Sequence, residues 1–155
     1  PGPELERVLR QIDIPAGSAI IDLGCGKGAA LITMAKFSFS QIAGVDISPE
    51  LIAIAETNLR RLGIKGVTLH CCDASQFTEL DDFSHVFLFN PFSGEVLRQV
   101  MDNIVDSLKR RQRTLTIIYR NPQHRHVIEA TSLFQKVKEV TFGSGTFPYW
   151  VYANR

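Results

Sequence analysis

Long apolar runs are missing from this chain. The longest, such as "HVFLF" and "LTIIY", fall far short of the roughly 20 residues that a membrane-spanning helix requires. The N-terminus, "PGPELERVLRQ", is charged within its first ten residues and lacks the apolar centre of a secretory signal. No membrane partner and a cytoplasmic location are therefore expected. Cysteine is also scarce, with Cys25, Cys71 and Cys72 the only three. They form no Cys-x-x-Cys and no Cys/His pairing at metal spacing, so no metal is expected. The thiols read as reduced and mostly buried, with a catalytic thiol the lesser alternative. An excess of charge is absent as well. At a formal +1, with 21% charged residues, bulk electrostatics neither demands nor excludes nucleic acid, and nothing signals DNA. Repeats, low-complexity tracts and long linkers are lacking too.

What remains is 155 residues, 45% of them hydrophobic, enough for one sizeable core and too few to divide comfortably in two. A single domain over residues 1–155 is expected. The opening "PGP" reads as a tag remnant or a clipped start, which leaves open whether elements precede Glu4. The oligomeric state is not legible.

Short β-rich runs alternate with longer amphipathic ones, the pattern of a parallel sheet covered by helices on both faces. The strands are "SAIIDLG", "QIAGVDI", "GVTLHCCD", "HVFLFN" and "TLTIIYR", followed by two late β segments, "KVKEVTFG" and "PYWVYANR", which suit a terminal hairpin. The first helix is "GAALITMAKF". The second, "SPELIAIAETNLRRLG", has Ser48 as N-cap, Pro49 at its first position and Gly63 just past its end. In "GEVLRQVMDNIVDSLKRR", Val96, Leu97, Val100, Met101, Ile104, Val105 and Leu108 share one face at the helical period. A shorter helix lies in "HRHVIEATSLF".

In such sheets ligands bind beyond the C-terminal strand ends. The first strand closes with "IIDLGCGKG", where Gly24, Gly26 and Gly28 let the backbone approach a ligand closely. The second closes on Asp46, about 20 residues past the glycine loop, where a carboxylate can accept both hydroxyls of a ribose. The third closes on Asp73. A nicotinamide dinucleotide calls for G-x-G-x-x-G and a pyrophosphate on the helix N-terminus, but here the third glycine comes one residue early. Asp22 would also oppose a pyrophosphate, whereas it suits an ammonium group.

Taken together, "IIDLGCGKGAALITMA", "GVDIS" and "CCDA" resemble the class I S-adenosylmethionine-dependent methyltransferases over nearly the whole chain. That resemblance implies a Rossmann-like three-layer αβα sandwich with a mostly parallel seven-stranded sheet and an antiparallel last strand. It implies S-adenosyl-L-methionine as cofactor. Asp22 and the loop Gly24, Cys25, Gly26 and Gly28 would hold the methionine portion, Asp46 the ribose hydroxyls, and Asp73 with Ala74 the adenine edge, with Ile47 a further cofactor contact.

The fourth strand ends in "NPF". This resembles the Asn-Pro-Pro-aromatic motif of methyltransferases acting on amide or exocyclic amino nitrogens, so Asn90, Pro91 and Phe92 are the candidate catalytic residues, with Asn90 also a contact to the donor. Such a nitrogen is a poor nucleophile, and acceptors aimed at its hydrogens would orient its lone pair towards the sulfonium methyl. One proline of the motif is missing, which brings Phe92 one residue closer to Asn90 and turns an extended side chain to the other side. The competing reading is a strand end that Pro91 terminates, with Ser93 capping the next helix.

"KRRQR", Lys109 to Arg113, reads as a solvated helix end rather than a nucleic-acid site. "YRNPQHRH" opens on the active side, where Arg120, His124, Arg125 and His126 could meet an anionic acceptor or decorate a loop. In "GSGTFPYW" the rings suit hairpin packing as well as an acceptor cage. The expected function is methyl transfer to an acceptor not identified by sequence, with a lean towards nitrogen; a protein side chain, an RNA base and a small molecule all stay open. A non-catalytic domain that binds the donor or a partner is the alternative, and a nicotinamide oxidoreductase ranks below it.

Overall fold

The structure, a computed structural model, describes residues 2–89 and 92–154. Its seven strands lie in one mostly parallel sheet in the order β3-β2-β1-β4-β5-β7-β6. By contacts the chain forms two compact units, one ending at Ala74 and the other beginning at Ser75.

The first unit contains α1 (Gly2–Leu9), β1 (Ala19–Leu23), α2 (Ala29–Met34), β2 (Gln41–Asp46), α3 (Pro49–Arg61) and β3 (Val67–Cys71). β1 pairs with β2, and β2 with β3, both in parallel. Every residue of β1 is buried, as are Ile42 to Val45 of β2, which explains why these strands read as apolar runs without alternation. α3 starts where its caps require: Ser48 Oγ accepts from the Leu51 N–H at 3.2 Å, and Pro49 takes the first helical position. Gly63, at φ +67°, follows the helix end. Helix α1 was not anticipated. Its signal was Leu5, Val8 and Leu9, which are buried at the i, i+3, i+4 spacing of a short amphipathic helix.

The second unit contains β4 (His85–Phe89), α4 (Gly94–Arg110), β5 (Thr116–Arg120), α5 (Arg125–Glu129), β6 (Phe134–Val140) and β7 (Tyr149–Asn154). β4 and β5 are parallel, and β7 runs antiparallel to both β5 and β6, as a terminal hairpin beside a parallel sheet requires. α5 ends five residues before the expected limit, and β6 begins two residues early, at Phe134. On α4, Leu97, Val100, Met101, Ile104 and Leu108 are buried, while Val96 and Val105 are only half-buried. The same face buries two polar residues that hydrophobic periodicity does not reveal. Asn103 Nδ2 donates to the Ser75 carbonyl at 2.8 Å, and Ser107 Oγ donates to Asp81 Oδ1 at 2.7 Å.

The basic run is more than a solvated helix end. Arg110 forks onto Asp81 with contacts of 2.8–3.1 Å, and Arg111 meets Asp82 at 2.6 Å. Arg113 donates to the carbonyls of Leu80, Phe83 and Arg111 at 2.8 Å and to Ser107 Oγ at 3.0 Å. The run ties the C-terminal end of α4 to the segment that leads into β4, because carbonyls without strand partners need donors.

Candidate functional site

In the first unit the ends of β1, β2 and β3 are linked through one residue. Asp46 Oδ2 accepts from the Gly26 N–H at 2.9 Å, Asp46 Oδ1 from the Ser48 N–H at 3.0 Å, and the Asp46 carbonyl from the Cys72 N–H at 3.0 Å. Directly after β1, Gly24 and Cys25 both donate to the Val45 carbonyl, at 2.7 and 2.9 Å. The glycine loop is thus held against the end of β2 by three hydrogen bonds, from Gly24, Cys25 and Gly26. Sequence reasoning singled out Asp46 but not this latch, because the loop that reaches its oxygens is chosen by strand order.

The loop glycines answer to distinct constraints. Gly26 has φ +52°, and a Cβ built on it would meet nothing within 4 Å, so its backbone faces open space. Gly28 has φ +89°, and its Cβ would lie 3.3 Å from Ala55 Cβ, so here the absent side chain lets α3 approach the start of α2.

Asp22 is 3% exposed, and burial, seconded by the negative charge of Asp46, pushes its carboxyl up to about 8. It is a carboxyl that gains by meeting a cation. Cys25 is buried behind the loop, and burial together with Asp22 and Asp46 pushes its thiol up to about 12. That suppresses the thiolate a catalytic cysteine needs. Cys25 Sγ instead fills the space beside Gly44, 2.9 Å from where a Gly44 Cβ would stand. The expectation of mostly buried thiols holds for Cys25 alone, since Cys71 at the end of edge strand β3 is exposed and Cys72 half-buried. Ile47 presents an aliphatic side chain that is 68% exposed next to Asp46. Asp73 is half-buried, and Ala74 is buried at the first position of a 3-10 turn, Ala74–Gln76. All the cofactor candidates except Asn90 therefore belong to the first unit.

Of the acceptor candidates, Asn90 and Pro91 lie outside the described residues. Phe92 is half-buried in the bend before α4, where Ser93 Oγ accepts from the Val96 N–H at 3.3 Å as an N-cap. In the loop after β5, Asn121 adopts φ +52°, and the His124 N–H donates to Tyr119 Oη at 3.3 Å. The His124 ring packs on α4, with Nδ1 3.3 Å from where a Gly94 Cβ would be. Arg125 lies over Trp150 at 4.9 Å, and so serves packing on the hairpin. Arg120 stacks on Phe89 and Phe147. Phe89 was missed by sequence reasoning, since the last apolar residue of a strand looks like core.

Residues 14–143 match the model of a family described as a methyltransferase domain. The chain belongs to this family. Among curated relatives, the chain is 34% identical to the eEF1A lysine methyltransferase 2 of Homo sapiens over 65 residues, 42% of the chain and 28% of the human protein. It is 36% identical to the ribosomal protein L11 methyltransferase of Alteromonas mediterranea over 59 residues, 38% of the chain and 20% of that protein. These matches span less than a third of the relatives' length. Among solved structures, the N-methyltransferase NodS of Bradyrhizobium japonicum, in complex with S-adenosylhomocysteine, superposes with a TM-score of 0.75 at 18% identity, over 99% of this chain and 88% of that one. An RNA methyltransferase of Salinibacter ruber, also with S-adenosylhomocysteine, gives 0.74 at 15% identity, over 99% and 92%. They share the Rossmann-like fold. The family match decides against a nicotinamide oxidoreductase.

Proposed function

We propose that this methyltransferase acts as a single domain that takes its methyl group from S-adenosylmethionine and passes it to an acceptor nitrogen. The observation that carries the donor assignment is Asp46, whose carboxylate closes β2 while latching the glycine loop, next to a buried acid at Asp22. The residues fit the cofactor chemically: Asp22 complements an ammonium, Gly26 leaves open space for a close approach, and exposed Ile47 offers an apolar surface beside a ribose-binding carboxylate. In this reading Asp22, Gly24, Cys25, Gly26 and Gly28 hold the methionine portion, Cys25 through its backbone. Asp46 and Ile47 hold the ribose region, and Asp73 and Ala74 the adenine edge.

The bound cofactor supplies an electrophilic methyl group on a sulfonium. The protein's task is then largely positioning, with the acceptor held in line and its hydrogens engaged by oxygen acceptors. Asn90, Pro91 and Phe92 are assigned that part by their motif. The curated relatives above are named for protein acceptors, which supports a nitrogen on a protein; the transfer assay below separates that from an RNA base and a small molecule. Three cysteines outside any disulfide agree with a reducing compartment, and we assign the protein to the cytoplasm. No helix among the described residues is long and apolar enough to cross a membrane.

Calorimetry with S-adenosylhomocysteine tests the donor site. Asp46→Ala removes two charge-assisted hydrogen bonds to the ribose together with the loop latch, at about 1.5–3 kcal/mol per bond, so affinity should fall by about 100-fold or more. Undiminished affinity would remove Asp46 from the site. Labelled methyl transfer into size- and nuclease-fractionated lysate identifies the acceptor class, and tight donor binding with no transfer to any fraction would favour the non-catalytic reading.

A further inference from the structure

The tip of the glycine loop is its most permissive stretch. Gly26 and Gly28, at φ +52° and +89°, flank Lys27, so the peptide groups on either side of Lys27 adjoin backbone that no Cβ restricts. Two tethers oppose that freedom. On the near side the Gly26 N–H donates to Asp46 Oδ2 at 2.9 Å, and on the far side Asn58 Nδ2 donates to the Lys27 carbonyl at 3.0 Å. The Gly28 N–H closes the turn onto the Cys25 carbonyl at 2.9 Å. The peptide between Lys27 and Gly28 is therefore engaged at both its C=O and its N–H.

Both tethers hang from one continuous piece of chain. Asp46 ends β2, its Oδ1 accepts from the N–H of Ser48, the N-cap of α3, and Asn58 stands further along the same helix. Ala55, one turn before Asn58 and on the same face, is fully buried and lies against the loop, since a Cβ on Gly28 would be 3.3 Å from Ala55 Cβ. Asparagine does little for α3 itself. It ranks below alanine, leucine, glutamate and lysine as a helix former, and Asn58, only half-buried, is not part of the core that Ala55 and Leu59 enter. The Lys27 carbonyl is near enough to the surface to take its bond from water instead, so the contact fixes the loop's shape more than it stabilises the fold.

We infer that Asn58 is a positioning residue for the methyl donor, holding the peptide between Lys27 and Gly28 so that the loop keeps the shape in which it receives the methionine portion. This rests on the reading that the glycine loop belongs to the donor site. Asn58 acts through the Lys27 carbonyl, and supplies in advance part of the ordering that binding would otherwise have to impose.

The test compares the full chain with Asn58→Ala and Asn58→Gln by calorimetry with S-adenosylhomocysteine and by NMR hydrogen exchange, both below the onset of thermal unfolding. In Asn58→Ala the affinity should fall about threefold to tenfold, the range for one net hydrogen bond. Without ligand, the amides of Gly26 and Gly28 should exchange faster in this variant, and those of β1 and β2 at the unaltered rate. Asn58→Gln, which keeps the amide donor on a longer arm, should recover part of both losses. The urea midpoint of Asn58→Ala should hardly move, because the helix propensity of the new residue offsets the lost bond. A structural role alone gives the reverse, a lowered midpoint with full affinity in the folded protein. That result, unchanged loop exchange in Asn58→Ala, or no recovery in Asn58→Gln would overturn the inference while S-adenosylhomocysteine still binds the unaltered chain. Failure of the unaltered chain to bind it would sink the donor assignment, and with it this role for Asn58.

Discussion

Asp22 is buried within the central stretch of the first unit's apolar strand, and its ionisation is opposed by both desolvation and the neighbouring Asp46 charge. A carboxyl raised from 3.8 to about 8 keeps its proton in the folded protein over a range where the unfolded chain has released it. Its contribution to stability is therefore complete below about pH 4 and declines as pH rises towards 8. Asp22→Asn should flatten that decline, and thermal melts at pH 5 and pH 8 should differ less in the variant than in the unaltered protein. The same substitution removes the charge that would meet the donor's ammonium, so S-adenosylhomocysteine affinity should drop at least tenfold. A variant both more stable at pH 8 and weaker in binding is the signature of an acid retained for function. Cys25, by contrast, is held as a thiol and packs beside Gly44, which makes it part of the core.

Among the elements, the turn from β1 into α2 depends on Gly28. Alanine there must adopt φ +89° and press its Cβ to 3.3 Å from Ala55 Cβ. The left-handed backbone alone costs about 1–2 kcal/mol, and urea denaturation of Gly28→Ala should show at least that loss. The other end of an element is fixed by charge. Asp81 is held down to about 2, first by the Arg110 fork and then by Ser107. A lowered carboxylate contributes stability above its unfolded value near 4 and loses it as pH falls towards 2. Arg110→Met should lower the melting temperature at pH 7, and the gap to the unaltered protein should close as pH approaches 2. A gap that persisted at pH 2 would mean that Arg110 acts through packing of its stem.

For the whole molecule, the single-domain reading makes a prediction about cooperativity. Trp150, the sole tryptophan, reports on the second unit, and under the proposed donor site S-adenosylhomocysteine binding reports on the first. In urea both signals should be lost in one coincident transition, whereas two separated midpoints would show units that unfold independently. The sequence by itself determined the order of strands and helices, the caps at Ser48 and Ser93, the stop at Gly63 and the glycine turn before α2. These are set by sterics and hydrogen bonds between residues a few positions apart, which leave local signatures. It also carried the strand-end acids Asp46 and Asp73, because the alternation of strand and helix says where strands close. Helix α1 passed unread since three apolar residues in eight are a faint pattern. Only the tertiary structure decided that Asp46 holds the loop after β1, that Arg113 serves carbonyls at Leu80 and Phe83, and that Phe89, Arg120 and Phe147 converge. Those residues are 20 or more positions apart, and pairing between strands, to which the periodicity of any one strand is blind, sets them side by side.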